Sequence, residues 1–317
     1  SLNVNAEGGG DSGAPQVRYN EVPRHAYHTD WVADRAIEWL HGLETDDDWF
    51  CWLSFPDPHH PWDPPSSELH RVPWRDLDLP AGYPEDRVER EAALDAKAPH
   101  WRRWYDGSLV SNYEAPTHWI PASLTTDQVR EVDAMAHIEN ELIDEALGRV
   151  LDALGDQGRM AGTDVVFTTD HGYHLGEHGF WQKANLHEEV VRVPLIIDAP
   201  GIKPGRTSSL VELVDFYPTC VDLLGLPMPK GLHGKSLVQI LRDPKATVRD
   251  TALSIYSRGG SIRAATWHYM SYGQKGEELY DMVKDPGQYT NVVSDPKYAT
   301  VLEEARAQFK ARMAAAR

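Results

Sequence analysis

With 317 residues, 41% of them hydrophobic and 25% charged, the chain has the composition of a globular protein of about two domains. A net charge of -18 with scattered basic residues excludes a nucleic-acid footprint, and no apolar run reaches the ~20 residues that span a bilayer, so no membrane partner is expected. An acidic surface repels anions at long range, so any anion site has to be local and deep.

The first twenty residues are rich in Gly, Asn and Ser and read as a loop. In "TDWVADRAIEWL" the spacing of Val32, Ala36, Trp39, Leu40 and Leu43 predicts a helix over about 31–43, with Asp30 as its N-cap. "WFCWLSF" (49–55) is apolar almost throughout, as a strand buried on both faces is. The two cysteines, Cys51 and Cys220, lie in apolar stretches and read as buried thiols, not as a disulfide framework. Residues 56–124 hold many prolines and Trp62, Trp74, Trp101, Trp104 and Trp119, with a single short helix expected near Arg87–Lys97. So long an irregular stretch is a candidate lid or pocket wall. Its tryptophan faces suit stacking on a sugar or aryl group, and they equally suit packing within the lid.

Thr125 and Gln128 fit a capping box, and an apolar stripe from Val129 to Leu154 predicts a helix over about 127–154, ended by Gly155 and Gly158. "DVVFTTD" (164–170) and "RVPLIIDAPG" (192–201) read as further buried strands. Strand, long helix, strand predicts a parallel α/β sheet. "VDFYPTCVDLLG" is a short helix with Pro218 near its first turn. Beyond about 245, "ALSIYS", "SIRAATWHYMSY" and "GEELYDM" predict a small antiparallel sheet, followed by a terminal helix over 296–314.

Ligands of parallel sheets bind beyond the carboxyl ends of the strands. If these strands are parallel, His59, His60, Asp170 and His171 leave the sheet on one edge. Asp170 and His171 are adjacent, and Gly172 permits the turn that lets both reach one ion. A carboxylate and an imidazole suit Mn²⁺, Fe or Zn²⁺ better than Ca²⁺. The other reading is that Asp170 caps the turn and His171 packs. The spacing His171, His174, His178 resembles a helical zinc site, but Gly172, Gly176 and Gly179 argue against a helix and no HExxH is present. His174 reads as a pocket-rim residue, and His178 and Glu177 as structural. Lys183, with Trp181 beside it, is either solvated surface or a cation brought back to offset an anion. His59, between prolines that hold the backbone extended, is a general acid or anion donor, or a loop histidine capping a carbonyl.

Taken in order, "SFPDPHHPWDPP", "TDVVFTTDHGYHLGEHGFWQK", "RVPLIIDAPG", "VDFYPTCVDLLGLPMP", "GLHGKSL" and "GEELYDMVKDPGQYTN" resemble the sulfatases, the formylglycine-dependent sulfuric ester hydrolases of the alkaline phosphatase superfamily. The likeness spans about 25–295, and the site is most similar to the iduronate- and choline-sulfatase type. It implies an α/β fold, alkaline-phosphatase-like, with a mostly parallel sheet sandwiched by helices over 1–245 and a small antiparallel sheet plus helix over 246–317. It implies that Asp170 and His171 hold a divalent metal, calcium as in most of the family, with manganese open. Lys183 and His59 would be catalytic, on the sulfate and the leaving group. His174 and Trp181 are candidate substrate contacts, and His60 fills a variable position. The substrate implied is a small-molecule or carbohydrate sulfate ester. Phosphonate monoesters or phosphodiesters are the alternative within the superfamily. The family's nucleophile motif, C-x-P-x-R or S-x-P-x-R, does not occur in the sequence. Together with the absence of Met at Ser1, this leads to the expectation that the chain is the C-terminal larger part of such an enzyme. A catalytically inactive, metal-binding module is the rival expectation.

Overall fold

The computed structural model describes residues 9–44, 47–108, 119–256 and 259–316. In chain order these form α1 (His28–His41), α2 (Arg87–Asp95), α3 (His100–Tyr105), α4 (Thr126–Asp156), β1 (Val165–Thr168), the two-residue strands β2 (His174–Leu175) and β3 (Trp181–Gln182), α5 (Glu188–Val191), β4 (Leu195–Asp198), α6 (Phe216–Leu223) and α7 (Val238–Arg242). Strands β5 (Thr251–Tyr256), β6 (Gly259–Ala264), β7 (Trp267–Ser271) and β8 (Glu277–Asp281) follow, then α8 (Ala299–Ala315). Two units result. The first holds the chain up to Glu85, Tyr105–Thr163 and Leu175–Phe180; the second holds Asp86–Trp104, Asp164–His174 and the chain from Trp181 on. The second unit thus includes both 181–245 and the residues after 245. Among the described residues no helix is long and apolar enough to cross a membrane.

In the first unit α4 starts at the expected capping box: Gln128 N–H donates to Thr125 Oγ1 (3.2 Å), and Thr125 N–H donates to Gln128 Oε1 (3.0 Å). The helix passes through Gly155 and stops at Gly158, whose φ of +68° few other residues adopt. There Arg159 N–H reaches Leu154 O (3.0 Å) and Gly158 N–H reaches Gly155 O (2.9 Å), a Schellman ending. Ala33, Ala36 and Leu40 of α1 bury against Ala146, Val150 and Leu154 of α4. Asp30 is not the N-cap of α1. Tyr27 holds that position, and Asp30 sits inside the first turn, paired with Arg24 (2.6 Å) and Arg149 (2.9 Å).

Segment 49–55 forms no strand among the described residues. Trp49, Leu53 and Phe55 pack onto the α1–α4 core, while Phe50 and Trp52 are 70% and 69% exposed and Cys51 is exposed with them. One packed face does not make a ladder. Its apolar composition predicted two buried faces and a buried thiol. All five tryptophans of 56–124 are buried, so they serve packing and none presents an open wall; residues 109–118 lie outside the described set. That stretch also carries α2, capped by Asp86 through Val88 N–H (2.8 Å) and Glu89 N–H (3.0 Å), and α3, which the sequence did not announce.

Glu139 of α4 is wholly buried and accepts from Asp63 N–H (2.9 Å). Burial first, then the charges of Asp57 and Asp63, hold its carboxyl well above the usual range. Since the folded value exceeds the unfolded one, its protonated form favours the fold. That contribution is complete below the unfolded pKa and fades as pH rises toward the folded one. Glu139→Gln keeps the acceptor and removes the titration. Its stability should match wild type near pH 4 and exceed it progressively as pH rises, by up to about 1.4 kcal/mol per unit. Denaturant midpoints across pH check this, and a pH-independent difference refutes it.

In the second unit β1 and β4 pair antiparallel, from Val165↔Asp198 to Thr168↔Leu195. The parallel pairing expected of these two strands is not formed, since no crossover helix joins them. The long helix α4 precedes β1, and the one α-helix described between β1 and β4 is the one-turn α5. Strands β5–β8 make an antiparallel meander. "SIRAATWHYMSY" folds as two of them, and Leu302 and Ala305 of α8 bury against Ile262, Trp267, Tyr269 and Leu279. The "ELYD…DP…N" residues cap the turns after β8. Asp281 Oδ1 accepts from Val283 and Lys284 N–H (both 3.1 Å), Asp285 Oδ2 from Thr290 N–H (2.7 Å), and Asn291 Oδ1 from Leu279 N–H (3.0 Å).

Candidate active site

The turn after β1 orients two ligand-type side chains. Asp170 Oδ1 accepts from His171 N–H (2.9 Å) and Thr169 Oγ1 (3.3 Å), which fixes the carboxylate plane. His171 Nδ1 lies 2.9 Å from Gly172 O. A carbonyl only accepts, so Nδ1 carries the proton and Nε2 is the ring's other face. Nε2 stands 3.3 Å from Asp170 Oδ2, whose side chain is 81% exposed. Two electron-pair donors this close are stable with a proton or a cation between them. An imidazole whose second nitrogen is held by a carbonyl is the usual arrangement of a metal ligand. Asp170 Oδ1 thus caps the turn, while Oδ2 faces His171. Among the described residues no group of three or more His, Cys, Asp or Glu converges as a metal site. The pair fits a divalent cation as part of a coordination shell.

Gly172 is required, though for a different reason than a turn conformation. Its N–H donates to Val190 O (2.8 Å), and a Cβ there would lie 1.9 Å from Glu189 O. The backbones touch, and no side chain fits between them.

Lys183, half-buried, belongs to the same unit as Asp170 and His171. His174 is not a rim residue, and the candidate substrate contact Trp181 is buried too. His174 is wholly buried with Nε2 3.1 Å from Asn185 Oδ1, and Trp181 is 2% exposed. Glycine-rich sequence suggested an open loop, but buried polar partners pull it inward. His178 is buried as expected of a structural histidine, in a short 3-10 turn (Glu177–Gly179) and no α-helix.

His59 lies in the first unit and is exposed. The prolines do not hold it extended: residues 57–60 form turns and bends, with cis peptides before Pro58 and Pro61. His59 Nδ1 donates to His60 O (2.7 Å), and its ring stacks on that of buried His60 at 4.3 Å. Asp57 anchors the turn, accepting from Thr29 Oγ1 and facing His28 Nε2 at 2.5 Å.

Sequence reading missed the buried polar cluster around His187. Lys97 Nζ donates to Tyr280 OH (3.0 Å) and Gln288 O (3.0 Å) and lies 3.4 Å from His187 Nε2. Burial lowers its pKa. Glu278 accepts from Ala98 N–H (2.7 Å), Trp101 Nε1 (3.1 Å) and Tyr280 OH (2.9 Å). Only the run of polar residues in "KANLHEE" hinted at this.

The sulfatase profile matches residues 7–226, more than half of the chain. The chain belongs to the sulfatase family. The profile described as N-sulphoglucosamine sulphohydrolase, C-terminal, matches residues 176–315. Arylsulfatase K of Gallus gallus is 29% identical over 304 residues, covering 88% of this chain and 55% of that protein. An arylsulfatase of Clostridium perfringens (strain 13 / Type A) is 27% identical over 280 residues, covering 85% and 54%. The chain thus spans about half the length of these curated relatives. A phosphonate monoester hydrolase from Silicibacter pomeroyi superposes with a TM-score of 0.79 at 24% identity, covering 98% of this chain and 65% of that one. A protein solved with its substrate D-glucosamine-2-N,6-O-disulfate superposes at 0.74, also at 24% identity, covering 91% and 70%. This sulfatase therefore has the alkaline-phosphatase-like α/β fold, with the small antiparallel sheet and helix at its C-terminal end.

Proposed function

We propose that this sulfatase hydrolyses sulfate monoesters, of an aryl alcohol or a carbohydrate, with Asp170 and His171 holding a divalent cation. The carrying observation is the turn at 169–172, where one hydrogen bond orients the Asp170 carboxylate and another fixes the His171 tautomer. Calcium is the proposed cation, with manganese the alternative favoured by an imidazole ligand. Such a cation supplies positive charge that offsets charge on a sulfuryl oxygen. Lys183 offers an ammonium to the sulfate oxygens. The names of the arylsulfatase relatives support the substrate class. The lack of a C-x-P-x-R or S-x-P-x-R segment in the sequence favours a second reading, sulfate binding without turnover.

4-Nitrophenyl sulfate and a 4-nitrophenyl phosphonate monoester, each assayed with Ca²⁺ or Mn²⁺ and then with EDTA, separate the readings. The expected result is sulfate ester turnover that EDTA abolishes and the metal restores. Preference for the phosphonate overturns the substrate class. Metal-dependent sulfate binding with no turnover selects the second reading.

A further inference from the structure

We infer that Asn185 is a positioning residue that fixes Lys183 relative to the Asp170–His171 pair. The inference rests on the function proposed above for Lys183 and that pair. Asn185 is 4% exposed and two residues beyond Lys183. Its Oδ1 lies 3.1 Å from His187 N and 3.1 Å from His174 Nε2. A backbone N–H only donates, so the Asn185 atom facing it is the oxygen, and His174 Nε2 must carry a proton to face that same oxygen. One side-chain carbonyl thus joins the stretch after the candidate anion-binding lysine to the stretch after the candidate metal turn. His174 is three residues past His171.

The far side of the clamp is anchored. His187 is wholly buried, with Nε2 3.4 Å from Glu278 Oε2 and 3.3 Å from Tyr280 OH. Glu188 N–H donates to Gln288 Oε1 (2.8 Å), and Gln288 Nε2 donates to His268 Nδ1 (2.8 Å). The backbone from 187 on is therefore set by the C-terminal sheet whatever residue 185 is. On the near side, Gly172 N–H to Val190 O gives the turn one fixed point, and His174 to Asn185 gives it a second, closer to Lys183. Two fixed points set a distance and an orientation, where one sets only a pivot. Lysine is long and flexible, so where its ammonium dwells depends on how firmly its backbone is held. A misplacement of about 1 Å costs on the order of a hundredfold in a site built on position.

The test titrates the 317-residue protein with inorganic sulfate at saturating Mn²⁺, by calorimetry, below the lowest melting temperature in the set. Wild type, Lys183→Ala, Asn185→Ala and Asn185→Asp are compared, with Mn²⁺ affinity measured separately. Asn185→Asp keeps an acceptor oxygen in place. The expected result is a loss of sulfate affinity of about tenfold or more in Asn185→Ala, Mn²⁺ affinity unchanged, and recovery in Asn185→Asp. Wild-type sulfate affinity in Asn185→Ala, while Lys183→Ala loses it, overturns the inference alone. Equal loss in both Asn185 variants also overturns it, because the acceptor oxygen is then not what matters. If wild type shows no Mn²⁺-dependent sulfate binding, or Lys183→Ala binds as well as wild type, the proposed function falls and the inference falls with it.

Discussion

Asp215→Ala is expected to destabilise the second unit by about 3–5 kcal/mol, the cost of leaving a buried charge without its partner. Asp215, at the start of the "VDFYPT" element, has a side chain of 0% exposure and faces the Arg249 guanidinium with both oxygens; Arg249 is 4% exposed. Asp215 Oδ1 also accepts from Lys235 N–H (2.8 Å), and Oδ2 from Glu212 N–H (2.8 Å). Glu212 in turn accepts from Leu253 N–H (2.7 Å) of β5 and pairs with Arg312 (2.6 Å) of α8. Removing the carboxylate therefore leaves the Arg249 guanidinium with only Glu212 Oε2 at 3.4 Å and strands two backbone donors at the junction of α6, β5 and α8. Two comparisons distinguish this from a generic loss. Arg306→Ala, which breaks a pair with Glu277 where Arg306 is 48% exposed, should cost no more than about 1 kcal/mol. The double variant Asp215→Leu/Arg249→Met should recover the part of the loss that the guanidinium causes, since an apolar pair carries no desolvation penalty, and not the part due to the two backbone donors. Urea midpoints of the four proteins decide it. A loss in Asp215→Ala no larger than that in Arg306→Ala shows that the pair is not structural.

What the sequence made legible follows from how local each cause is. The start of α4 was readable because a capping box is complete within four residues. Asp30 was misread because its role is set by Arg149, 119 positions away. The Asp170–His171 pair was readable because its two members are neighbours in sequence and the orienting bonds come from the same turn. His174 reads as a rim residue from sequence because nothing nearby in sequence reports that Asn185 draws it inward. Glu278 lies about 180 residues from the Ala98 and Trp101 donors it satisfies, beyond the reach of any periodicity. Segment 49–55 failed for a further reason. Hydrophobicity reports that residues want burial, and it does not report which partner supplies the ladder. Motifs that marked the family divided in the same way. "DHG" carries candidate chemistry, whereas "VDFYPT" and "ELYD…DP…N" turn out to be ion-pair and capping residues.

Lys183→Ala carries the largest expected effect on chemistry. Against a wild-type preparation that hydrolyses 4-nitrophenyl sulfate, it should lower kcat by about two to three orders of magnitude, as loss of one fixed charge-stabilising donor does. Its melting temperature should stay close to wild type. The side chain is only half-buried, and the stretch from His187 on is held by Glu278 and Gln288 independently of it. The molecule is strongly acidic overall, so an anionic ester gains nothing from its long-range field, and the local ammonium is what offsets the sulfate charge. Hence the loss should persist at high salt, where surface electrostatics are screened. Lys183→Arg keeps the charge but replaces a compact donor with a planar fork, and it should recover the activity only in part. If kcat stays within a few-fold of wild type in Lys183→Ala, the sulfate group is served by another cation and the role assigned to this residue is wrong. If KM rises while kcat holds, Lys183 binds the ester equally in the ground and transition states and does not stabilise the charge that develops as the bond breaks.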